Sequence, residues 1–344
     1  MKDTTQALLH IENLKTVISS KDGKLVPVDG VDITIPKGKT VGIVGESGCG
    51  KSMTAMSIMG LLPNTTHIEE GKILFQDMDL TKLNPKELRK ITGDKISIIF
   101  QEPMTSLNPV IQVGKQVREA ILLHEKVSKE ESKQRVIEIF RQVGIPEPER
   151  RYNAYPHQLS GGLRQRVMIG MAMVCNPDLL IADEPTTALD VTIEAQILHL
   201  MRQLQKDKGT SIMMITHNLG VVAEICDQVY VMYAGKVVEY GNAEDIFEYA
   251  SHPYTWGIMQ SIPPEDISNK EPLKPILGTP PDLLHPPKGC AFAARCPYAM
   301  KVCRCIDAPG FEVEGDGHKV WCWLYDERAK QMQKTVNPIT GKEV

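Results

Sequence analysis

The sequence predicts an α/β fold built round a phosphate-binding loop, and three observations carry that prediction. Gly45-Glu46-Ser47-Gly48-Cys49-Gly50-Lys51-Ser52 has the spacing G-x-x-x-x-G-K-[ST]. The apolar run Val41-Gly42-Ile43-Val44 precedes it as a short buried strand, and Lys51 through Leu62 follow as a helix closed by Pro63. Further apolar runs ending at polar groups, Ile96 to Phe100, Leu179 to Asp183 and Ile212 to Thr216, read as more strands.

Each part of the loop suits a triphosphate. Glycines let the backbone wrap closely round phosphates with its N–H groups pointing inward, and the helix N-terminus adds its positive end. Lys51 is expected to bridge the β- and γ-phosphates, and the Ser52 hydroxyl to hold Mg²⁺. Leu179-Leu180-Ile181-Ala182-Asp183-Glu184 ends in two carboxylates. Asp183 suits a Mg²⁺ contact, and Glu184 a base that orients the attacking water. Leu159-Ser160-Gly161-Gly162-Leu163-Arg164-Gln165-Arg166 opens a helix-like run reaching Val174 and is a second anion site. One triphosphate needs only one such element, so the second asks for a different explanation.

At these residues the chain resembles the ATP-binding subunits of ABC transporters. Leu159 to Leu163 is similar to the family signature, with Leu163 replacing the commoner Gln. Gln101 matches the Q-loop glutamine, Ala188-Leu189-Asp190 the D-loop, and His217 the switch histidine, all in family order over about residues 8 to 250. The resemblance implies a P-loop NTPase fold of ABC type: a RecA-like core, an antiparallel β subdomain and a helical signature subdomain at about 103–175, inside an ATPase domain 1–250.

It also implies a mechanism. Two such subunits pack head to tail, each ATP lying between one phosphate loop and the other signature, so Ser160, Gly161 and Gly162 are expected to contact the partner's ATP. Glu184, His217 and Gln101 form the expected catalytic set. His217 meets the γ-phosphate and attacking water, and Gln101 senses Mg²⁺ and faces a membrane partner. Catalytic power is then mainly electrostatic and positional. The family usually places an adenine-stacking aromatic where this chain has Ile18, so adenine is expected to rest on aliphatic surface at Ile18 and Val28. No Asn-Lys-x-Asp element of guanine-specific proteins is present, since Asn269-Lys270-Glu271-Pro272 does not supply one, and ATP is the expected nucleotide.

At 344 residues the chain has room for one large α/β domain and an appendage. A net charge of −4 and the lack of a basic stripe argue against nucleic acid. Met1 to Gln6 lacks the apolar core of a signal peptide. No apolar run approaches the ~20 residues of a membrane helix. The expected location is peripheral, on the cytoplasmic face of the plasma membrane, with any membrane role supplied by partners.

Between Gln101 and the signature, Val113, Val117, Ala120 and Ile121 lie at helical spacing. Ser128 opens a second helix with Val136, Ile139, Phe140 and Val143 on one face, stopping before Gly144-Ile145-Pro146. Pro103 to Pro109 is expected to line a groove for a permease helix. From about Ser251 the composition changes. Ile262-Pro263-Pro264, Gly278-Thr279-Pro280-Pro281 and His285-Pro286-Pro287 read as extended linkers. His252-Pro253-Tyr254-Thr255-Trp256-Gly257, Gly289-Cys290-Ala291-Phe292 and Arg295-Cys296-Pro297 resemble the tail of peptide-permease ATPases, D-type subunit, as do Glu102 to Pro109 and Tyr155 to Leu159. Residues 251–344 are thus expected to form a C-terminal extension.

Five of the eight cysteines, Cys290, Cys296, Cys303, Cys305 and Cys322, lie in this tail. A cytosolic chain rarely keeps disulfides, so the cluster reads first as metal ligation, and its gaps suit an iron–sulfur cluster better than a zinc knuckle. Some members of the resembled family carry a [4Fe–4S] cluster at cysteines matching Cys290, Cys296, Cys303 and Cys322. Cys305 is extra and could replace Cys303. The alternative is a metal-free tail packed round Phe292, Tyr298, Trp321 and Trp323.

The resemblance implies the ATPase subunit of an oligopeptide or dipeptide importer. Its partners are a paralogous F-type ATPase, two membrane permeases and, indirectly, an extracellular binding protein. Another solute, such as nickel or glutathione, is the alternative within the class. A non-transport ABC protein of translation or DNA repair fits less well. Only one phosphate loop occurs, and no long coiled coil separates Ser52 from Ser160.

Overall fold

The computed structural model describes residues 7–101, 106–187, 190–261, 275–315, 317–332 and 335–344. Outside them lie Pro103, Met104 and Thr105 of the expected groove, Ala188 and Leu189 of the expected D-loop, the Ile262-Pro263-Pro264 linker and Asn269 to Pro272.

Strands β1 (Ala7–Ser20) and β2 (Gly23–Pro36) form a long antiparallel hairpin. β3 (Thr40–Val44) leads through the phosphate loop into α1 (Lys51–Met59). α1 ends three residues before the predicted Leu62, because Gly60 takes the left-handed conformation that caps a helix C-terminus. β4 (Thr66–Phe75) and β5 (Met78–Asp79) complete a four-stranded sheet in the order β2-β1-β4-β5. α2 (Pro85–Ile91), opened by an Asn84–Glu87 capping box, precedes β6 (Ile96–Ile99).

A helical layer follows: α3 (Val113–His124), α4 (Lys129–Gln142), α5 (Pro148–Arg151) and α6 (Gly161–Met173). Ser128 caps α4 by accepting from the Glu131 amide at 3.1 Å. Val136, Ile139, Phe140 and Val143 are buried against α3 and α6. Then come β7 (Leu179–Asp183), α7 (Val191–Lys208), β8 (Ser211–Thr216), α8 (Leu219–Ile225), β9 (Gln228–Tyr233) and β10 (Lys236–Asn242). After α9 (Ala243–Tyr249) and α10 (Pro253–Gln260), the tail adds the short strands β11 (Phe311–Glu312) and β12 (Lys319–Val320) and a last helix, α11 (Glu327–Met332).

The second sheet runs β11-β12-β10-β9-β3-β8-β7-β6, parallel from β9 to β6. β3, β7 and β8 are buried along their whole length, as parallel strands covered on both faces must be. Val44 pairs with Thr216, Ile215 with Asp183, and Ala182 with Ile99. That register brings the residues after β3, β6, β7 and β8 to one edge, where ligands of parallel α/β sheets bind.

The tail is joined to the core rather than hung from it. β12 pairs with β10, and Glu239 of β10, fully buried, accepts hydrogen bonds from the Ser251 and His252 amides (2.6 and 2.9 Å), the Thr255 hydroxyl (2.5 Å) and His318 Nε2 (2.8 Å). Pro280, Pro281, Pro286 and Pro287 lie in irregular chain, as expected of linkers. No helix among the described residues is long and apolar enough to cross a membrane.

Candidate active site

The phosphate loop leaves β3 through Gly45, whose φ of 152° and whose backbone, against the Met232 carbonyl, leave no room for a side chain; a Cβ would sit 2.1 Å from that oxygen. Gly50, at φ 106°, has the same relation to the Pro27 carbonyl. Ser47 and Gly48 form an exposed tip, while Cys49 and Lys51 are buried. Lys51 Nζ folds over the loop, donating to the carbonyls of Gly45 (2.7 Å) and Glu46 (3.0 Å). Ser52 is partly buried in the first turn of α1, and its hydroxyl acts to lower the pKa of the Asp183 carboxyl.

Asp183 ends β7 facing this loop. Burial pushes its carboxyl above the ordinary aspartate value, opposed by the Ser52 hydroxyl and the charge of Lys51. Its Oδ1 is buried with no hydrogen-bond partner. An orphaned carboxylate oxygen beside a serine hydroxyl and a phosphate loop is the donor set a hard, oxygen-seeking cation such as Mg²⁺ requires. Ser52 and Asp183 therefore fit that ion.

Glu184 is the hub of the site. It takes the left-handed φ of 47°, unusual for a residue with a side chain, held by its amide donating to the Ile215 carbonyl at 2.8 Å. Its Oε2 accepts from Gln101 Nε2 at 2.6 Å and from the Thr187 hydroxyl at 3.0 Å, and Oε1 lies 3.0 Å from His217 Nδ1. Burial alone would raise its carboxyl, but the bonds from His217 and Thr187 prevail and hold it below the usual glutamate value. It is therefore charged at neutral pH, as a base must be. His217 is 60% exposed and reaches outward from the edge.

The signature residues and Asp190 belong to other elements, the starts of α6 and α7. Ser160 caps α6, accepting from the Leu163 amide at 3.4 Å, and a Cβ at Gly161 would meet open space. A Cβ on Gly162 would touch Ile193 of α7. Asp190 caps α7 through the Ile193 amide at 3.0 Å. Of the two aliphatic side chains expected beneath adenine, Ile18 is half-buried. Val28 is fully buried among core residues of both sheets and offers no surface.

Two functional links escaped the sequence reading. Gln165 of α6, buried, donates to the Pro185 carbonyl just past Glu184. Arg295 of the tail makes a two-pronged ion pair with Glu46 of the phosphate loop. The Gln165 position beside the signature motif was a signal. The Arg295–Glu46 separation of 249 residues left none.

Cys290, Cys296, Cys303 and Cys322 line one cavity with His252, Phe292 and Tyr298, and the exposed Cys305 is outside it. The expected convergence of the four sulfurs on one tight centre is not found: among the described residues no three Cys, His, Asp or Glu side chains are placed to hold a metal ion. The thiols ring the cavity among aromatic side chains. Burial pushes Cys290 up, Cys296 up to about 12 and Cys322 well up, each reinforced by its cysteine neighbours. His252 Nδ1 accepts from the Tyr254 amide at 3.0 Å, which puts the ring proton on Nε2; that nitrogen is buried and unpartnered.

The fold and this edge of strand ends define an ABC-type ATPase. The ABC transporter family pattern matches residues 28–187, and that of the oligopeptide/dipeptide transporter C-terminal region matches residues 238–303. The chain is 52% identical to the dipeptide transport ATP-binding protein DppD of Bacillus subtilis over 326 residues, 94% of this chain and 97% of that one. It is 48% identical to the oligopeptide transport ATP-binding protein OppD of Escherichia coli, over 86% of this chain and 88% of that one. Among solved structures, the dimeric post-hydrolysis ATP-binding cassette MJ0796 bound to ADP and Pi superposes with a TM-score of 0.62 at 28% identity, covering 68% of this chain and 98% of that one. This chain belongs to the ATP-binding subunits of the oligopeptide and dipeptide ABC transporters.

Proposed function

We propose that this chain is the ATP-hydrolysing subunit that energises import of oligopeptides or dipeptides across the plasma membrane. The observation that carries the chemistry is the convergence of Gln101 and His217 on Glu184, at the same sheet edge as the phosphate loop. The residues Gly45 to Ser52 bind the triphosphate, with Lys51 released from its carbonyl contacts to meet the β- and γ-phosphates. Ser52 and Asp183 hold Mg²⁺, which neutralises charge on the phosphates when bound. Glu184 takes the proton of the attacking water, and His217 and Gln101 fix its orientation. Ser160, which caps α6, together with Gly161 and Gly162 presents that helix's N-terminus to ATP on a partner. Asp190 flanks that contact.

The partner chain is a paralogous F-type subunit, and two permeases hold the pair at the cytoplasmic face, with an extracellular binding protein delivering the peptide. An apolar groove between sheet and helical layer, lined by Met59, Phe100, Ser106, Met168 and Met171, supports the permease contact. Peptide rather than another solute is favoured by the relatives' names and by the matched C-terminal region.

A [4Fe–4S] cluster on Cys290, Cys296, Cys303 and Cys322 is our proposal, supported by all four lining one cavity that excludes Cys305. Each iron takes one cysteine, so the thiolates ring a volume instead of meeting at a point. The buried, unpartnered His252 Nε2–H lines the same cavity and would be available as a donor to such a group. Such a cluster cross-links the tail when bound. The test of the main reading is reconstitution with the permeases in vesicles. ATP-driven peptide accumulation is expected, and ATP-driven uptake of nickel or glutathione with no peptide uptake would overturn the substrate assignment.

A further inference from the structure

Arg295 lies in the tail, next to Cys296, yet its side chain ends at the phosphate loop. It is 5% exposed and spends all its N–H donors. Nη1 and Nη2 donate to the two carboxylate oxygens of Glu46 at 2.7 and 3.0 Å. The others go to the Tyr233 hydroxyl (3.2 Å) and to the carbonyls of Leu277 (3.0 Å) and Ile276 (3.2 Å). The guanidinium is fixed by its own surroundings and so fixes Glu46. A second residue beyond the core grips the same point: the Glu46 amide donates to the hydroxyl of the fully buried Tyr254 at 2.8 Å.

Glu46 needs such a partner. It is a carboxylate inside a loop whose purpose is to bind a polyanion, and it sits two residues before the exposed Gly48 tip. Left unpaired, it would repel phosphate and pull the loop toward other cations, of which the nearest in the loop is Lys51. A bidentate arginine both cancels that charge and sets the direction of the loop backbone, which a lysine in its place would do less well.

We propose that Arg295 is a positioning residue of the ATP site: the C-terminal segment neutralises and holds Glu46, so that the phosphate loop keeps its anion-binding geometry. This rests on reading Gly45 to Ser52 as the phosphate loop. ATP affinity by calorimetry, with KM and kcat in the assembled transporter, tests it on the full chain. Arg295→Ala is expected to weaken ATP binding about tenfold and raise KM with little change in kcat. Glu46→Gln in the Arg295→Ala background is expected to restore affinity to within about threefold of the unaltered chain, since the bare carboxylate is then gone. Unchanged affinity in Arg295→Ala, with only a lower melting temperature, would overturn the proposal, and so would a double variant no better than Arg295→Ala. Lys51→Ala separates the two levels of the argument. Normal ATP affinity in that variant would overturn the phosphate-loop reading itself.

Discussion

Gln165 Nε2 donates to the main-chain oxygen of Pro185 at 2.5 Å, inside the protein. One end of this bond belongs to the helix that the signature opens, the other to the turn that carries Glu184. On the proposed shared-site reading, ATP of a partner at Ser160 would bias the carboxylate of this chain's own site through this bond. Gln165→Ala leaves the Pro185 carbonyl unsatisfied, at a cost of about 1–3 kcal/mol. Denaturant unfolding is expected to register that loss, with ATP turnover reduced more than ATP affinity. Unaltered turnover in the assembled transporter would refute the coupling.

The signature gives a second expectation. Ser160→Arg places a bulky side chain where the shared-site proposal puts the partner's nucleotide, while this chain's own phosphate loop is on a different element. Nucleotide binding by the isolated variant should be normal, and ATPase activity in the assembled pair should be lost at the partner's site. Isolated chain should hydrolyse ATP poorly at concentrations where sedimentation finds it monomeric. Full activity from that monomer would contradict the shared-site account.

The fold was legible wherever function is written in local spacing. The loop from Gly45 to Ser52 and the carboxylates after Leu179–Ala182 each have to be contiguous to work, so sequence alone located them. Glu184's partners were named but their meeting on one carboxylate came from strand register, which spacing does not encode. Val28 is lost to the core, and the pattern of β2 does not announce it, because Pro27 beside it is buried too. The Arg295–Glu46 pair was invisible, since nothing in a chain marks which of its many arginines will cross a 249-residue gap. Cysteine spacing singled out Cys290, Cys296, Cys303 and Cys322, which line one cavity, but the convergence expected of metal ligands is not found among the described residues.

The Glu239–His318 pair predicts a pH dependence. Burial would lower the His318 pKa, but the hydrogen bond and charge of Glu239, helped by the Glu314 carbonyl and Asp245, prevail and hold it above the ordinary imidazole value. The folded state thus binds the proton more tightly than the unfolded chain. This stabilisation is complete below about pH 6.5, the unfolded value, and is lost as pH rises through the folded one. Limited proteolysis of the tail should accelerate between slightly acidic and alkaline pH. His318→Gln should flatten that dependence, and an unchanged profile would exclude the pair as its source.

Anaerobic purification tests the cysteine assignment. About four iron and four sulfide per chain are expected, with a brown colour that Cys290→Ser and Cys322→Ser abolish and Cys305→Ser retains. A colourless preparation containing one zinc would contradict it.

The central claim is that Glu184, oriented by His217 and Gln101, is the base for ATP hydrolysis, and one variant tests it most directly. Glu184→Gln keeps the size and much of the hydrogen bonding of the side chain but cannot accept the water's proton. Measured in the reconstituted transporter, it should bind ATP with near-normal affinity and turn over at least about a hundredfold more slowly. Turnover close to that of the unaltered chain would remove Glu184 from the chemistry and contradict the account.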